Sequence, residues 1–472
     1  MQNINEFKGG DKLVLDITDL DMLGRGIAHL GGTTIFVENA ITGEKVSAEV
    51  LSYNKGFYIA KTTNILTKSK LREMPKCPYF LECGGCDVQH IIYHKTLEFK
   101  KHLILRTLKK VAGIDYDENL ITIEPSENPY FYRNKLAMQI KTVNGETKLC
   151  YYKKHSHDPI FIEACPLCDE KFNIVISLVN KFLNDNKILS SEEPNGNAKH
   201  IVARIIDNKL LLTFVLLNKN FVSVESLYQE LKKHFIDVGI NININTNNKE
   251  ILSNNFVHLR GITYIKFKTL DVEQTITNSS FLQVNFNVQN KLYKYVTDNA
   301  FGLVVNCYSG AGLLTCLISK NMKDKIKDIR QNKELIKQKS ILTKVTKRNK
   351  VIGIEINSDA TKLANTLVRA NKIYDVKNIC GDASVVLKEL NLNGNFTLVV
   401  DPPRSGLNDS IINTIKKQKP EKIIYVSCCL NSLCKNLKNL ISDYEIKEIK
   451  GFDMFSQTKN LETVVVLKKS NQ

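Results

Sequence analysis

The sequence predicts an α/β protein: a Rossmann-like cofactor domain in its carboxyl-terminal part, preceded by a small β-barrel and a central α+β domain. Three observations lead there. From about Ile276 onward, apolar strand candidates alternate with helix-length stretches, as in a βαβ sheet. Acidic residues recur where those strands end. Before about Ile65 the chain is cut into short β-branched segments by glycine turns.

Composition sets the bounds. A chain of 472 residues has room for two or three domains, and its 43% apolar content can fill real cores. The net charge of +17 favours a polyanionic partner, most simply nucleic acid. A lysine-rich, tryptophan-free composition accounts for the same excess without one. The run Leu210–Leu217 falls far short of the roughly 18 residues a membrane span needs, so no membrane partner is expected. Met1–Glu6 shows no leader pattern, and a cytoplasmic monomer is the expectation. Twelve cysteines in that setting argue for metal or catalytic use over a disulfide framework.

Residues 1–67 form the barrel candidate. Lys12–Ile17, Thr34–Val37 and Lys45–Val50 read as strands, with turns at Gly24-Arg25-Gly26 and Gly31-Gly32. Small OB-like barrels often hold RNA, and a purely structural appendage fits the pattern equally.

Residues 68–272 form the central part. A basic stretch, Lys68–Arg72, leads into Cys77, Cys83 and Cys86, spaced C-x5-C-x2-C around Gly84-Gly85. Cys165 and Cys168 follow in Glu163-Ala164-Cys165-Pro166-Leu167-Cys168. Four thiolates suit tetrahedral zinc or a [4Fe–4S] cluster, and the three-plus-one spacing favours the cluster. Cys165 is the preferred fourth ligand and Cys168 its competitor. A basic helix is expected around Tyr93–Val111, and Asn241–Asn248 reads as an asparagine-rich turn without chemistry.

Residues 273–472 carry the chemistry. Phe301–Asn306 reads as the first buried strand, running into Cys307-Tyr308-Ser309-Gly310-Ala311-Gly312 and a helix. Glycines at such a turn let a ligand approach the backbone closely. Later strands end at Glu355, at Cys380-Gly381-Asp382 and at Asp401. Taken singly, each acid is a helix cap. Their repetition suits a nucleoside-like cofactor without phosphates, and S-adenosylmethionine fits better than a dinucleotide. Between the first helix and the second strand, residues 320–350 hold twelve Lys or Arg against three acids. That insert reads as a solvated basic segment, with auxiliary RNA contact as the sharper alternative.

The strand Ile423–Ser427 runs into Cys428, a thiol where open parallel sheets place ligands, and Glu462 lies downstream. A single cysteine is ordinarily a core thiol. Cys429 is adjacent, but strand alternation lets only one of the two face a pocket.

Together these residues resemble the RNA uracil-5 methyltransferase family over nearly the whole chain. The barrel resembles a TRAM domain, and Cys77, Cys83, Cys86 and Cys165 resemble the [4Fe–4S] site of the ribosomal-RNA branch. Tyr132-Arg133-Asn134-Lys135, Ser280-Phe281-Leu282-Gln283-Val284-Asn285, Asp401-Pro402-Pro403-Arg404, Tyr425-Val426-Ser427-Cys428 and Asp453-Met454-Phe455 complete the match. The resemblance implies S-adenosylmethionine contacts from Gln283, Tyr308, Glu355, Asp382 and Asp401. It implies Cys428 as nucleophile, Glu462 as base, Asp401 as a hydrogen-bonding partner of the uracil, and 23S ribosomal RNA as the partner. The chain departs from the family pattern at Asn306, Ser309, Cys429, Ser456 and Lys459. Competing readings are a transfer-RNA enzyme of the same type, a catalytically idle RNA-binding assembly protein, and a base-nitrogen methyltransferase using Asp-Pro-Pro chemistry.

Overall fold

The structure is a computed structural model that describes residues 7–247, 249–331, 350–392 and 394–470. It divides into two compact units. The first comprises Met1–Leu103, Asn128–Ile262 and Phe455–Lys459; the second comprises Ile104–Glu127, Thr263–Met454 and Asn460–Gln472. Of the basic insert, residues 320–331 continue the helix Leu313–Gln331, and 332–349 lie outside the described residues.

The first unit begins with a six-stranded sheet built from strands between Lys12 and Thr67. Side chains alternate as a pleat demands: Val46, Ala48 and Val50 point into the core, and their neighbours are more exposed. Gly26 is required by close approach, because a Cβ there would stand 2.8 Å from Ile17 Cγ2 and 3.0 Å from Ala40 Cβ. The basic helix forms as expected, over Tyr93–Thr107 with one further wide turn to Ala112.

A seven-stranded sheet makes up the rest of this unit, with Lys135–Val143 and Ala198–Ile206 at its centre. The helix Lys171–Asp185 covers it through Phe172, Val175, Ile176, Val179, Phe182 and Leu183, an apolar stripe at helical spacing.

The first half of the asparagine-rich stretch, Asn241–Ile244, is not a turn, which corrects the sequence expectation there. Asp237–Ile244 is a buried strand pairing in parallel with Lys209–Leu216. Ile240 and Ile242 occupy the core face, while Asn241 and Asn243 are buried on the other. Asn243 is satisfied by backbone groups of Ser253 and Asn255, and Asn245, just beyond the strand, by those of Glu250 and Ile251. A polar strand is tolerated because a neighbouring loop completes its hydrogen bonds.

The second unit is built on an eight-stranded sheet. Its order is Val376–Cys380, Lys350–Glu355, Leu303–Cys307, Thr397–Val400, Lys422–Ser427, Glu462–Lys469, Tyr444–Phe452 and Ile121–Glu124. The first five strands are mutually parallel and almost wholly apolar, as sheets covered on both faces are. Glu462–Lys469 runs antiparallel to Lys422–Ser427. Ile121–Glu124, far off in sequence, closes the edge, where Glu124 holds both Lys450 and Lys291. Among the described residues, no helix is long and apolar enough to cross a membrane.

Candidate active site

The carboxyl ends of the parallel strands in the second unit gather most of the residues singled out in the sequence. Thr397–Val400 delivers Asp401, Leu303–Cys307 delivers Tyr308, and Lys350–Glu355 ends in Glu355. The register accounts for the pairing of Cys428 with Glu462. Ser427 and Thr463 are the last matched residues of two antiparallel strands, so the next residue of one faces the first of the other. Glu462 is 5% exposed and Cys428 half-buried beside it.

Burial governs the electrostatics. It pushes the Glu462 carboxyl up to about 8, with the neighbouring Asp401 adding to the rise and Arg404 opposing it. Burial likewise pushes Asp401 up to about 7. The Cys428 thiol is raised first by burial, then by Glu462 and Asp401, against the pull of Arg404. The protein alone therefore disfavours the Cys428 thiolate. Glu462 and the Cys428 thiol both draw on Arg404 while Asp401 opposes the charge of each, so the three cannot all carry charge at little cost.

Cys429 corrects a second expectation. Strand alternation would turn it away, yet it too is half-buried and feels Arg404. The strand ends at Ser427, and Cys429 is already the N-cap of helix Leu430–Leu440, where alternation no longer applies. Burial raises its thiol, but the Ser432 hydroxyl and the N–H groups of Ser432 and Asn431 outweigh that and leave it lowered.

The cofactor residues divide. The turn after the first strand is strained: Tyr308 takes a φ of 63°, and Gly310 and Gly312 follow at 52° and 82°. Glu355 Oε2 accepts from Gly310 N at 2.9 Å and so fixes this turn. A Cβ at Gly310 would meet nothing within 4 Å, so the backbone lies open to a ligand. At Gly312 the Cβ would lie 2.7 Å from that of Ala364, a contact only glycine permits. Asp382 is the N-cap of helix Ala383–Leu390, its Oδ1 accepting from Ser384 N at 2.8 Å, so one carboxylate oxygen remains for a ligand. Gln283 is half-buried on the segment leading into helix Phe286–Asn299. Asn306, where the family pattern has aspartate, is buried and donates to Thr315 Oγ1 at 2.9 Å; a neutral amide suits that setting.

Two neighbours of the reactive groups escaped the sequence reading. Arg404 stood inside a quoted motif but was given no role. Its loop is pinned by Asn436, whose Oδ1 accepts from Leu407 N and from the Tyr425 hydroxyl, both at 2.8 Å. Tyr293, on helix Phe286–Asn299, has its phenol raised by burial and then by the charges of Asp401 and Glu462. Nothing in the sequence distinguishes it from a core tyrosine.

In the first unit, Cys77, Cys83, Cys86, Cys165 and Cys168 line one cavity of about 420 Å³. Gln89 organises it, donating to Cys86 Sγ at 3.1 Å and accepting from Cys77 N at 3.2 Å. Among the described residues, no three His, Cys, Asp or Glu side chains stand as ligands of a single metal ion. In the same unit, Ser456 O accepts from the Tyr132 hydroxyl, and Lys459 pairs with Asp87 at 2.9 Å.

A parallel sheet with a glycine-opened first turn, acid-ended strands and an antiparallel final hairpin defines the class of Rossmann-like, S-adenosylmethionine-dependent methyltransferases. Residues 92–470 match the tRNA (uracil-5-)-methyltransferase family, and the chain belongs to it. It is an S-adenosylmethionine-dependent RNA methyltransferase of the uracil-5 type. An uncharacterized RNA methyltransferase of Clostridium acetobutylicum is 30% identical over 99% of both chains. One from Listeria innocua is 28% identical over 98% of both. Among solved structures, the tRNA (uracil-54, C5)-methyltransferase of Pyrococcus abyssi, in complex with S-adenosyl-L-homocysteine, shares the fold. Its TM-score is 0.73 at 22% identity, covering 96% of this chain and 99% of that one.

Proposed function

We propose that this enzyme methylates C5 of a uridine in 23S ribosomal RNA, with Cys428 as nucleophile and Glu462 as base. The convergence of Cys428, Glu462, Asp401 and Arg404 at adjacent strand ends carries this reading. C5 of uracil is a poor nucleophile until a thiolate adds to C6. Cys428 makes that addition, forming an S–C6 bond and an enolate across C4–C5. S-adenosylmethionine supplies an electrophilic methyl group, whose transfer requires alignment more than acid–base help. Glu462 then takes the C5 proton, the C5–C6 double bond re-forms, and the Cys428 thiolate leaves. A carboxylate raised to about 8 is a stronger base than an ordinary one, as this step demands. Asp401, raised to about 7, can hydrogen-bond the uracil in either state, accepting from N3–H when ionised or donating to a carbonyl when protonated.

The Gly310 opening, Glu355 and the free oxygen of Asp382 suit the ribose and methionine ends of the cofactor. The target nucleotide has to leave its stack to reach Cys428, at a cost of roughly a few kcal/mol. The five-cysteine cavity supports a [4Fe–4S] cluster held by Cys77, Cys83, Cys86 and Cys165.

Incubating the protein with S-adenosylmethionine and 5-fluorouridine-substituted RNA tests the mechanism, because fluorine cannot leave as a proton does. A crosslinked peptide containing Cys428 is expected; its absence overturns the covalent route. The family's description and the archaeal relative favour transfer RNA as a second substrate reading. Mapping 5-methyluridine in both RNA classes from a strain lacking the protein decides between them.

A further inference from the structure

A second cavity, of about 690 Å³, opens on the first unit and plays no part in the chemistry above. Its lining includes Tyr93, Tyr130, Phe131, Lys76, Glu73 and Asp169. Tyr130 is nearly buried, with Lys76 Nζ 4.6 Å from its ring centre. Phe131 is the unusual member. It is 46% exposed and holds a φ of 56°, a left-handed conformation that a bulky side chain rarely adopts.

That conformation is imposed by the backbone. Phe131 N donates to Pro166 O and Arg133 N to Leu167 O, both at 2.9 Å, tying this segment to the Cys165–Cys168 turn. A glycine at position 131 would occupy the same φ without strain. An aromatic ring stands there although the backbone conformation costs folding free energy and nearly half of the side chain is exposed. Such costs persist where a surface is used for binding.

We propose that this cavity takes an unstacked RNA base bearing an exocyclic amino group (adenine, cytosine or guanine, but not uracil), outside the reacting uridine. The inference rests on the chain being an RNA methyltransferase and deepens the reading of its substrate. Phe131 offers an exposed ring for stacking, the commonest way proteins hold a splayed base, and the buried Tyr130 forms the floor beside it. Glu73 and Asp169 are acceptors for an amino group, which uracil lacks. Lys76 supplies a cation for the attached phosphate. Asp169 already accepts from Lys171 N at 2.9 Å through Oδ1, which leaves Oδ2 for the base.

The test uses the full chain and fluorescein-labelled hexamers of adenylate, cytidylate and uridylate, read by anisotropy. Wild-type protein is expected to bind the adenylate and cytidylate hexamers more tightly than the uridylate one. Phe131→Gly is expected to weaken binding of the first two roughly tenfold, the usual scale of losing one stacked base. Its melting temperature should hold or rise, a combination that a structural role would not give. A Glu73→Gln, Asp169→Asn double variant is expected to erase the preference among hexamers. Equal wild-type affinity for all three hexamers, or unchanged affinity in Phe131→Gly, overturns the proposal. Methyl transfer to total RNA from a strain lacking the protein separates the two readings. No transfer by wild type counts against the enzyme reading alone. Wild-type transfer with an unchanged KM in Phe131→Gly counts against the cavity alone.

Discussion

At Glu462 the folded chain holds a carboxyl near 8 that would titrate at 4.5 if free. The native state therefore binds this proton more tightly than the unfolded chain. Its stabilising effect is complete below 4.5 and is lost as pH rises through about 8. Glu462→Gln is expected to match wild-type stability near pH 4.5 and to exceed it by on the order of a few kcal/mol at pH 8.5. Melting curves across that range check this, with the slope left in the variant belonging to Asp401; superimposed curves would mean the carboxyl is solvated. In the proposed mechanism the same groups set the rate. Cys428 must lose its proton and Glu462 must be ionised to accept one, and both are raised. A kcat/KM that climbs from pH 6.5 to beyond 8 is expected, and a profile flat above pH 6 would contradict it. For Cys428→Ala we expect no detectable turnover with cofactor affinity within about twofold of wild type by calorimetry. At this scale the meeting of Cys428, Glu462 and Asp401 at adjacent strand ends was legible, because residue type and strand position both spoke for it. Arg404 and Tyr293 were not, since their roles come from what stands beside them.

The elements were legible where pattern and environment agree. The parallel strands read as apolar runs, two of these four leading into acids, and the structure places them within a residue or two of the expected bounds. Asp237–Ile244 was missed because alternating Ile and Asn resembles a turn-rich stretch until the loop that satisfies the amides is known. Ile121–Glu124 was missed because four residues carry no period, and only their pairing with Ile449–Phe452 makes a strand of them. The loop after Asp401 depends on an element in the same way. Asn436 lies on helix Leu430–Leu440 and holds Leu407 at both backbone groups, N at 2.8 Å and O at 2.9 Å. Asn436→Leu keeps the volume and leaves those groups and the Tyr425 hydroxyl unpaired, a loss of about 2–4 kcal/mol. Denaturant unfolding should show it, with kcat reduced more than cofactor affinity because Arg404 sits on the freed loop. Unchanged kcat in a stably folded variant would mean that Arg404 is positioned by something else.

For the whole molecule, the cysteine cavity makes the widest claim, since it would join segments some 80 residues apart in the chain through one inorganic group. Cys77, Cys83 and Cys86 lie on one loop and Cys165 on another, and Gln89 arranges the first set before any metal arrives. Anaerobically purified protein is expected to be brown, with about four irons and four sulfides per chain and visible absorption that bleaches in air. Cys83→Ser should lose the colour and lower the melting temperature by roughly 10 °C, because closing so long a loop contributes several kcal/mol of stability. Cys165 and Cys168 can be told apart in the same way. If Cys165 is the fourth ligand, Cys165→Ser bleaches the protein and Cys168→Ser does not. Reversed outcomes would exchange the two ligands without altering the cluster. A colourless protein carrying one zinc would instead overturn the cluster and assign the same thiolates to a single tetrahedral ion.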